Sequence, residues 1–161
     1  MNLAFRTIVV ATDFSEPSQL ALEYARVFAK RFGANLRVLH VVQVPAVLSA
    51  EVPAPDVQAA AAQSVVVAER ALGNALDKLT ETTVIGQVLV GPPAESIVGY
   101  AADHDADLIV MGTHGRGGLA HFLMGSVAER VLRSAPCPVF TVRDAEALRC
   151  ATRDSAAARA S

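Results

Sequence analysis

The feature that most constrains the fold is an alternation along the chain. Short β-branched apolar runs are followed by longer stretches whose apolar residues recur at helical spacing, the pattern of a parallel sheet covered by crossover helices. Thr7-Ile8-Val9-Val10-Ala11 is continuously apolar after Thr7, as a strand buried on both faces must be. A helix is predicted directly after it. Ser15 is placed to cap it, Pro17 falls in its first turn, Leu20, Tyr24, Val27, Phe28 and Phe32 keep helical spacing, and Gly33 ends it.

The same unit repeats. Leu36 to Val42 is a second strand, and it runs into a segment broken by Pro45, Pro53 and Pro55, where neither helix nor strand is expected to persist. From about Asp56 to Thr80, Val57, Ala61, Val65, Ala68, Leu72, Leu76 and Leu79 mark one face of a long helix. Val84 to Val90 is a third strand. Gly91-Pro92-Pro93 opens a helix through Ile97, Val98 and Tyr100, and Leu108 to Met111 is a fourth strand. A glycine-rich stretch follows, then a helical run from Ser126 to Leu132 and a fifth strand, Pro138 to Val142. Right-handed crossovers wind such a chain into one twisted sheet with helices on both faces, and ligands bind beyond the carboxyl ends of the strands where the winding reverses.

Composition narrows the class. At 161 residues, 52% of them apolar and 19% charged, the chain has enough apolar content for one folded domain that buries about two-thirds of its unfolded surface. It lacks a charge-free stretch of about 18 residues able to span a bilayer, so no membrane partner is expected. A net charge of -2, with basic residues spread along the chain, gives no footprint for nucleic acid. Met1-Asn2-Leu3-Ala4-Phe5-Arg6 leads straight into the first strand, and the expectation is a cytoplasmic protein. Cys137 and Cys150 show neither a disulfide framework nor metal-ligand spacing. Residues 144–161, which carry Arg149, Arg153 and Arg159 among alanines, read as a frayed or flexible tail.

The segment from Gly112 to Ser126 carries the chemistry. It has four glycines between Gly112 and Met124, and Gly125-Ser126 opens the next helix. Glycines let backbone amides approach an anion, and a helix start adds unpaired N-H groups and the positive end of its dipole. The two readings are a phosphate cradle and a merely flexible loop; neither a Walker loop nor a dinucleotide fingerprint fits. Arg116 suits bidentate pairing with phosphate, while His114 either donates to a phosphate or packs the turn. Asp13 accepts from ribose hydroxyls, helps hold a metal, or serves as a turn or cap residue, with Thr12 beside it. His40 reads as a hydrogen-bonded core residue, and Asp103 to Asp107 as a solvated turn on the wrong edge. No serine, histidine and carboxylate pattern points to a hydrolytic triad.

The spacing Gly112-x2-Gly115-x9-Gly125-Ser126 resembles the nucleotide motif of the universal stress protein (UspA-like) family, in its ATP-binding subclass. Ile8 to Ser15, Leu39 to Val42 and Cys137 to Arg143 are similar to its opening, second strand and last strand. The resemblance implies a single domain over residues 1–143: a Rossmann-like, adenine nucleotide alpha hydrolase-like α/β fold with a five-stranded parallel sheet in the order 3-2-1-4-5. It implies that Ala11, Thr12 and Asp13 flank ribose and adenine, that the main chain at Val41 reads the adenine edge, and that Met111 and Gly112 line base and ribose. Gly115, Gly125, Ser126 and Val127 would hold the triphosphate with His114 and Arg116 near it, and Mg²⁺ or Mn²⁺ would accompany the ATP. A homodimer through the strand Val139 to Arg143 and an unidentified regulatory protein partner are also implied. The expected role is a nucleotide-dependent stress-response regulator without enzyme activity, any ATP hydrolysis being slow. Two alternatives stand beside it. An enzyme acting at the α-phosphate predicts Ser-Gly-Gly-x-Asp-Ser after the first strand, where this chain has Ala11-Thr12-Asp13-Phe14-Ser15. A nucleotide-free interaction module is the other.

Overall fold

The computed structural model describes residues 5–43, 54–77, 79, 83–113 and 124–143. In chain order these form β1 (Thr7–Ala11), α1 (Glu16–Phe32), β2 (Asn35–Val42), α2 (Ala54–Leu76), β3 (Val84–Val90), α3 (Pro93–Asp103), β4 (Leu108–Gly112), α4 (Ser126–Ser134) and β5 (Val139–Val142). The strands make one sheet in the order β3-β2-β1-β4-β5, with every pairing parallel. β1 lies at the centre, with Ala11 beside Leu39 on one side and Met111 on the other. The order expected from the family resemblance is the order found.

The unbroken apolar run of β1 has a direct explanation. Ile8 and Val10 face one core, with Ala21, Leu22, Ala25 and Ala29 of α1 and Leu72 of α2. Val9 and Ala11 face the other, with Ala94, Ile97, Tyr100 and Ala101 of α3 and Ala128 and Val131 of α4. Successive strand residues point to opposite faces, so a strand covered on both sides needs no polar alternation. Three alanines on the inner face of α1 hold that helix close to the sheet. Gly33 stops it in the left-handed conformation at φ 68°, which glycine adopts without strain, and the Ala34 N–H returns to the Ala29 carbonyl at 2.9 Å.

Element bounds differ from the sequence reading in places with physical causes. The helix expected from about Asp56 to Thr80 runs from Ala54 to Leu76. Pro55 therefore lies in its first turn instead of in a broken segment, where a missing N–H costs no intrahelical hydrogen bond. β5 begins at Val139 and not at Pro138, whose carbonyl accepts the Ile109 N–H at 3.0 Å. Among the described residues no helix is long and apolar enough to cross a membrane. The tail, residues 144–161 with Cys150, lies outside the described residues.

Candidate functional site at the switch point

The winding reverses between β1 and β4, whose carboxyl ends lie side by side. The turn from β1 into α1 is built from its own side chains. The Thr12 N–H donates to the Leu39 carbonyl at 2.9 Å, continuing the ladder past the end of β1. Thr12 is buried, and its Oγ1 accepts the Phe14 N–H at 3.1 Å and lies 3.0 Å from Ser18 Oγ. Ser18 spends its only hydroxyl hydrogen on the Ser15 carbonyl at 2.9 Å, so Thr12 is the donor to Ser18.

Asp13 closes the turn. Its Oδ1 accepts both the Ser15 N–H, at 3.1 Å, and the Ser15 hydroxyl. Ser15 does occupy the position before α1, with extended backbone, but its hydroxyl does not cap the helix as the sequence suggested. Its hydrogen goes to Asp13, a charged acceptor two residues back, whereas a cap would need its oxygen to accept a first-turn N–H, and it accepts none. The turn-residue reading of Asp13 is thereby met, and the residue is half-buried just past the carboxyl end of β1.

Opposite this turn, Met111 is buried and Gly112 half-buried at the end of β4. A Cβ on Gly112 would lie 2.9 Å from Pro17 Cβ and 3.1 Å from both the Pro17 carbonyl carbon and Ser18 N. The glycine thus lets the first turn of α1 seat against β4. Beyond it, the Thr113 N–H donates to the Val142 carbonyl and the Thr113 carbonyl accepts the Gly125 N–H, each at 2.8 Å. The two ends of the glycine-rich segment are therefore tied together at the sheet edge. Gly125 has φ -60° and ψ 146°, a conformation open to any residue, so local geometry does not demand glycine there. α4 starts at Ser126 with no side chain capping it among the described residues, leaving the amides of its first turn without intrahelical acceptors.

Of the residues singled out in the sequence, Ala11, Thr12, Asp13, Val41, Met111, Gly112, Gly125, Ser126 and Val127 all fall at this carboxyl edge, at the ends of β1, β2 and β4 and the start of α4. His114, Gly115 and Arg116, with Gly117, Gly118 and His121, lie outside the described residues. Next to Val41 is an open groove of about 440 Å³, lined by Phe14, His40 and Gln43 and by Gln63, Ser64 and Val67 of α2 among others.

Several residues around the turn and at the far edge support the sheet in ways that local sequence does not show. Phe14 has φ 65°, rare for a bulky side chain, and only the closeness of Thr12 and Gln19 hinted at the bonds that hold it. His40 is hydrogen-bonded as expected, though half-buried, its Nδ1 lying 2.8 Å from the Thr12 carbonyl. At the far edge, Asp107 Oδ2 accepts the Arg6 and Thr7 N–H groups at 2.7 and 2.9 Å. The segment Asp103 to Asp107 does lie on the wrong edge for the crevice, and Asp107 anchors the start of β1. Among the described residues no group of three or more His, Cys, Asp or Glu could hold a metal ion. Cys137 is a free, half-buried thiol; burial, with Asp107 adding to it against a bond from the Ile109 backbone, pushes its pKa up.

A doubly wound parallel sheet with its candidate site at the switch point defines a Rossmann-like α/β domain. This chain belongs to the universal stress protein family, whose sequence profile matches residues 4–143. Universal stress protein MJ0531 of Methanocaldococcus jannaschii is 35% identical over 142 residues, covering 86% of this chain and 82% of the relative. The structure of MJ0577 from the same organism superposes with a TM-score of 0.79 at 29% identity, over 88% of this chain and 97% of that one. A universal stress protein in complex with cAMP matches at TM-score 0.59 and 27% identity, over 87% of this chain and 98% of that one. One from Archaeoglobus fulgidus in complex with dAMP matches at TM-score 0.62 and 25% identity, over 87% and 99%.

Proposed function

We propose that this protein binds an adenine nucleotide at the switch-point crevice, with ATP as its ligand, and acts as a nucleotide-dependent stress-response regulator without enzymatic turnover. The observation that carries the reading is the convergence of the Thr12-Asp13 turn, Val41, Met111-Gly112 and the start of α4, which no side chain among the described residues caps, on one edge of the sheet. The Gly125-to-Thr113 bond brings the two ends of the motif Gly112-x2-Gly115-x9-Gly125-Ser126 together there. First-turn amides of α4 suit phosphate oxygens, while Ala11, Asp13, Val41 and Met111 suit ribose and base. The cAMP and dAMP complexes of two relatives support the adenine part of the reading.

The donor set bears on the cation. With no protein cage for a metal among the described residues, Mg²⁺ or Mn²⁺ fits here as an ion carried by the phosphates, Asp13 being the nearby hard oxygen ligand. Asp13 Oδ1 accepts two bonds from Ser15, which fix the orientation of the carboxylate. A half-buried free thiol at Cys137 suits the reducing cytoplasm.

Dimerisation is the second part of the proposal. β5 ends the sheet, and Phe140 on it is exposed and touches Tyr24 and Phe28 of α1, with ring centroids 5.6 and 5.2 Å apart. A second copy pairing along Val139 to Arg143 would cover this edge. Mass analysis of nucleotide released from the denatured purified protein, with ATP titration, tests the reading; release of no adenine nucleotide together with no ATP binding refutes it. Gly115→Val plus Gly125→Val is expected to abolish ATP binding and leave the circular dichroism spectrum intact.

A further inference from the structure

We infer that His40 is a positioning residue for the nucleotide site, holding the peptide between Thr12 and Asp13 in the plane that presents Asp13 to the crevice. The inference rests on the crevice being the nucleotide site. A carbonyl oxygen only accepts, so the 2.8 Å contact between His40 Nδ1 and the Thr12 carbonyl requires the hydrogen on Nδ1. That carbonyl belongs to the planar unit that also carries the Asp13 N–H, and fixing one end of a rigid plane fixes the other. Thr12 is therefore held from β2 at both of its backbone groups, its N–H by Leu39 and its carbonyl by His40.

The next residue needs this support. Phe14 stands at φ 65°, a conformation that a bulky side chain keeps only when its surroundings enforce it. Its ring stacks on the His40 ring, with centroids 4.5 Å apart and planes tilted by 32°. Its N–H is held by Thr12 Oγ1, and its carbonyl accepts from Gln19 Nε2 at 3.1 Å. His40 is the member of this set that comes from another strand, and it touches the residues on both sides of Asp13. A leucine there would fill much of the space yet release the Thr12 carbonyl and remove the ring under Phe14. Asparagine would return an N–H donor at the position of Nδ1.

The test compares wild type, His40→Leu and His40→Asn by titration calorimetry with Mg²⁺-ATP, by thermal unfolding and, in wild type, by ¹⁵N NMR of the imidazole. The expected results are an Nδ1–H tautomer for His40, affinity about tenfold weaker in His40→Leu, and recovery to within about threefold of wild type in His40→Asn. An Nε2–H tautomer, unchanged affinity in His40→Leu, or an asparagine variant no better than leucine overturns the inference. Because the tautomer is read in wild type, the inference remains refutable even where His40→Leu does not fold. If wild type itself binds no ATP, the reading of the site fails and takes the inference with it; if wild type binds and His40→Leu binds equally well, the inference alone fails.

Discussion

Replacing Gly112 with alanine tests whether the seating of α1 on β4 is a real constraint. The new Cβ would stand 2.9 Å from Pro17 Cβ and 3.1 Å from the Pro17 carbonyl carbon and Ser18 N. Carbon contacts relax at about 3.5–4.0 Å, so the first turn of α1 must retreat by about 0.5–1 Å. Two of the three obstructing atoms are backbone, and Ser18 is tied to Thr12 and Ser15 by hydrogen bonds of 3.0 and 2.9 Å, so no side chain can swing away to relieve the clash. Overpacking of this kind costs about 1–3 kcal/mol, or a fall in melting temperature of about 2–12 °C for a domain of this size. Urea and thermal unfolding followed by circular dichroism measure it. Gly73→Ala is the internal control. It lies exposed inside α2 with nothing within 4 Å of an added Cβ, and alanine there should raise stability by about 0.5–1 kcal/mol. If Gly112→Ala unfolds at the wild-type midpoint or above it, the close approach does not limit this fold and the argument from Cβ distance is wrong.

Two further perturbations probe the opposite edge of the sheet. Asp107→Ala removes the acceptor for the Arg6 and Thr7 N–H groups and should cost about 1–3 kcal/mol by urea unfolding, with any ATP affinity unchanged because the proposed site is at the other end of the strands; a loss of affinity at full folding would contradict that separation. In a Cys150→Ser background, Cys137 should react with iodoacetamide near pH 8 more slowly than a free cysteine, since burial and Asp107 raise its pKa. The folded state then keeps a proton that the unfolded chain loses, so the stability Cys137 contributes is complete below the ordinary thiol value of 9.0 and is lost as pH rises past it. A reaction rate equal to that of the free thiol refutes the shift.

Much of the fold was legible because burial on both faces leaves an unmistakable trace: Ile8, Val9 and Val10 have no exposed surface at all, and the sequence shows this as an unbroken apolar run. Of the twelve candidate site residues read from glycine spacing, the polar turn after β1 and the family resemblance, nine meet at one edge, and the other three lie outside the described residues. Three things were not legible. The helical reach of Pro55 depends on a first turn whose N–H groups lack intrahelical acceptors in any case, and local pattern gave the boundary only approximately. The Ser15 hydroxyl donates to Asp13 and accepts no N–H from its own helix, an outcome set by how the turn orients it. His40 read as a hydrogen-bonded core residue, but its partner was hidden because the Thr12 carbonyl lies 28 residues away in sequence.

Periodicity, glycine spacing and turn chemistry are local properties, and by themselves they determined the strands, the helices, the family pattern and the edge at which the candidate site lies. The tertiary structure decided what depends on distances between segments remote in sequence. Gly112 is there because α1 comes within 3 Å of where its Cβ would be. Asp107 anchors β1 because the sheet order places it beside Thr7. His40 steadies Asp13 because β2 runs parallel to β1 in a register that sets Ala11 beside Leu39. Those contacts arise only once the parallel strands align, and no window along the chain contains both partners.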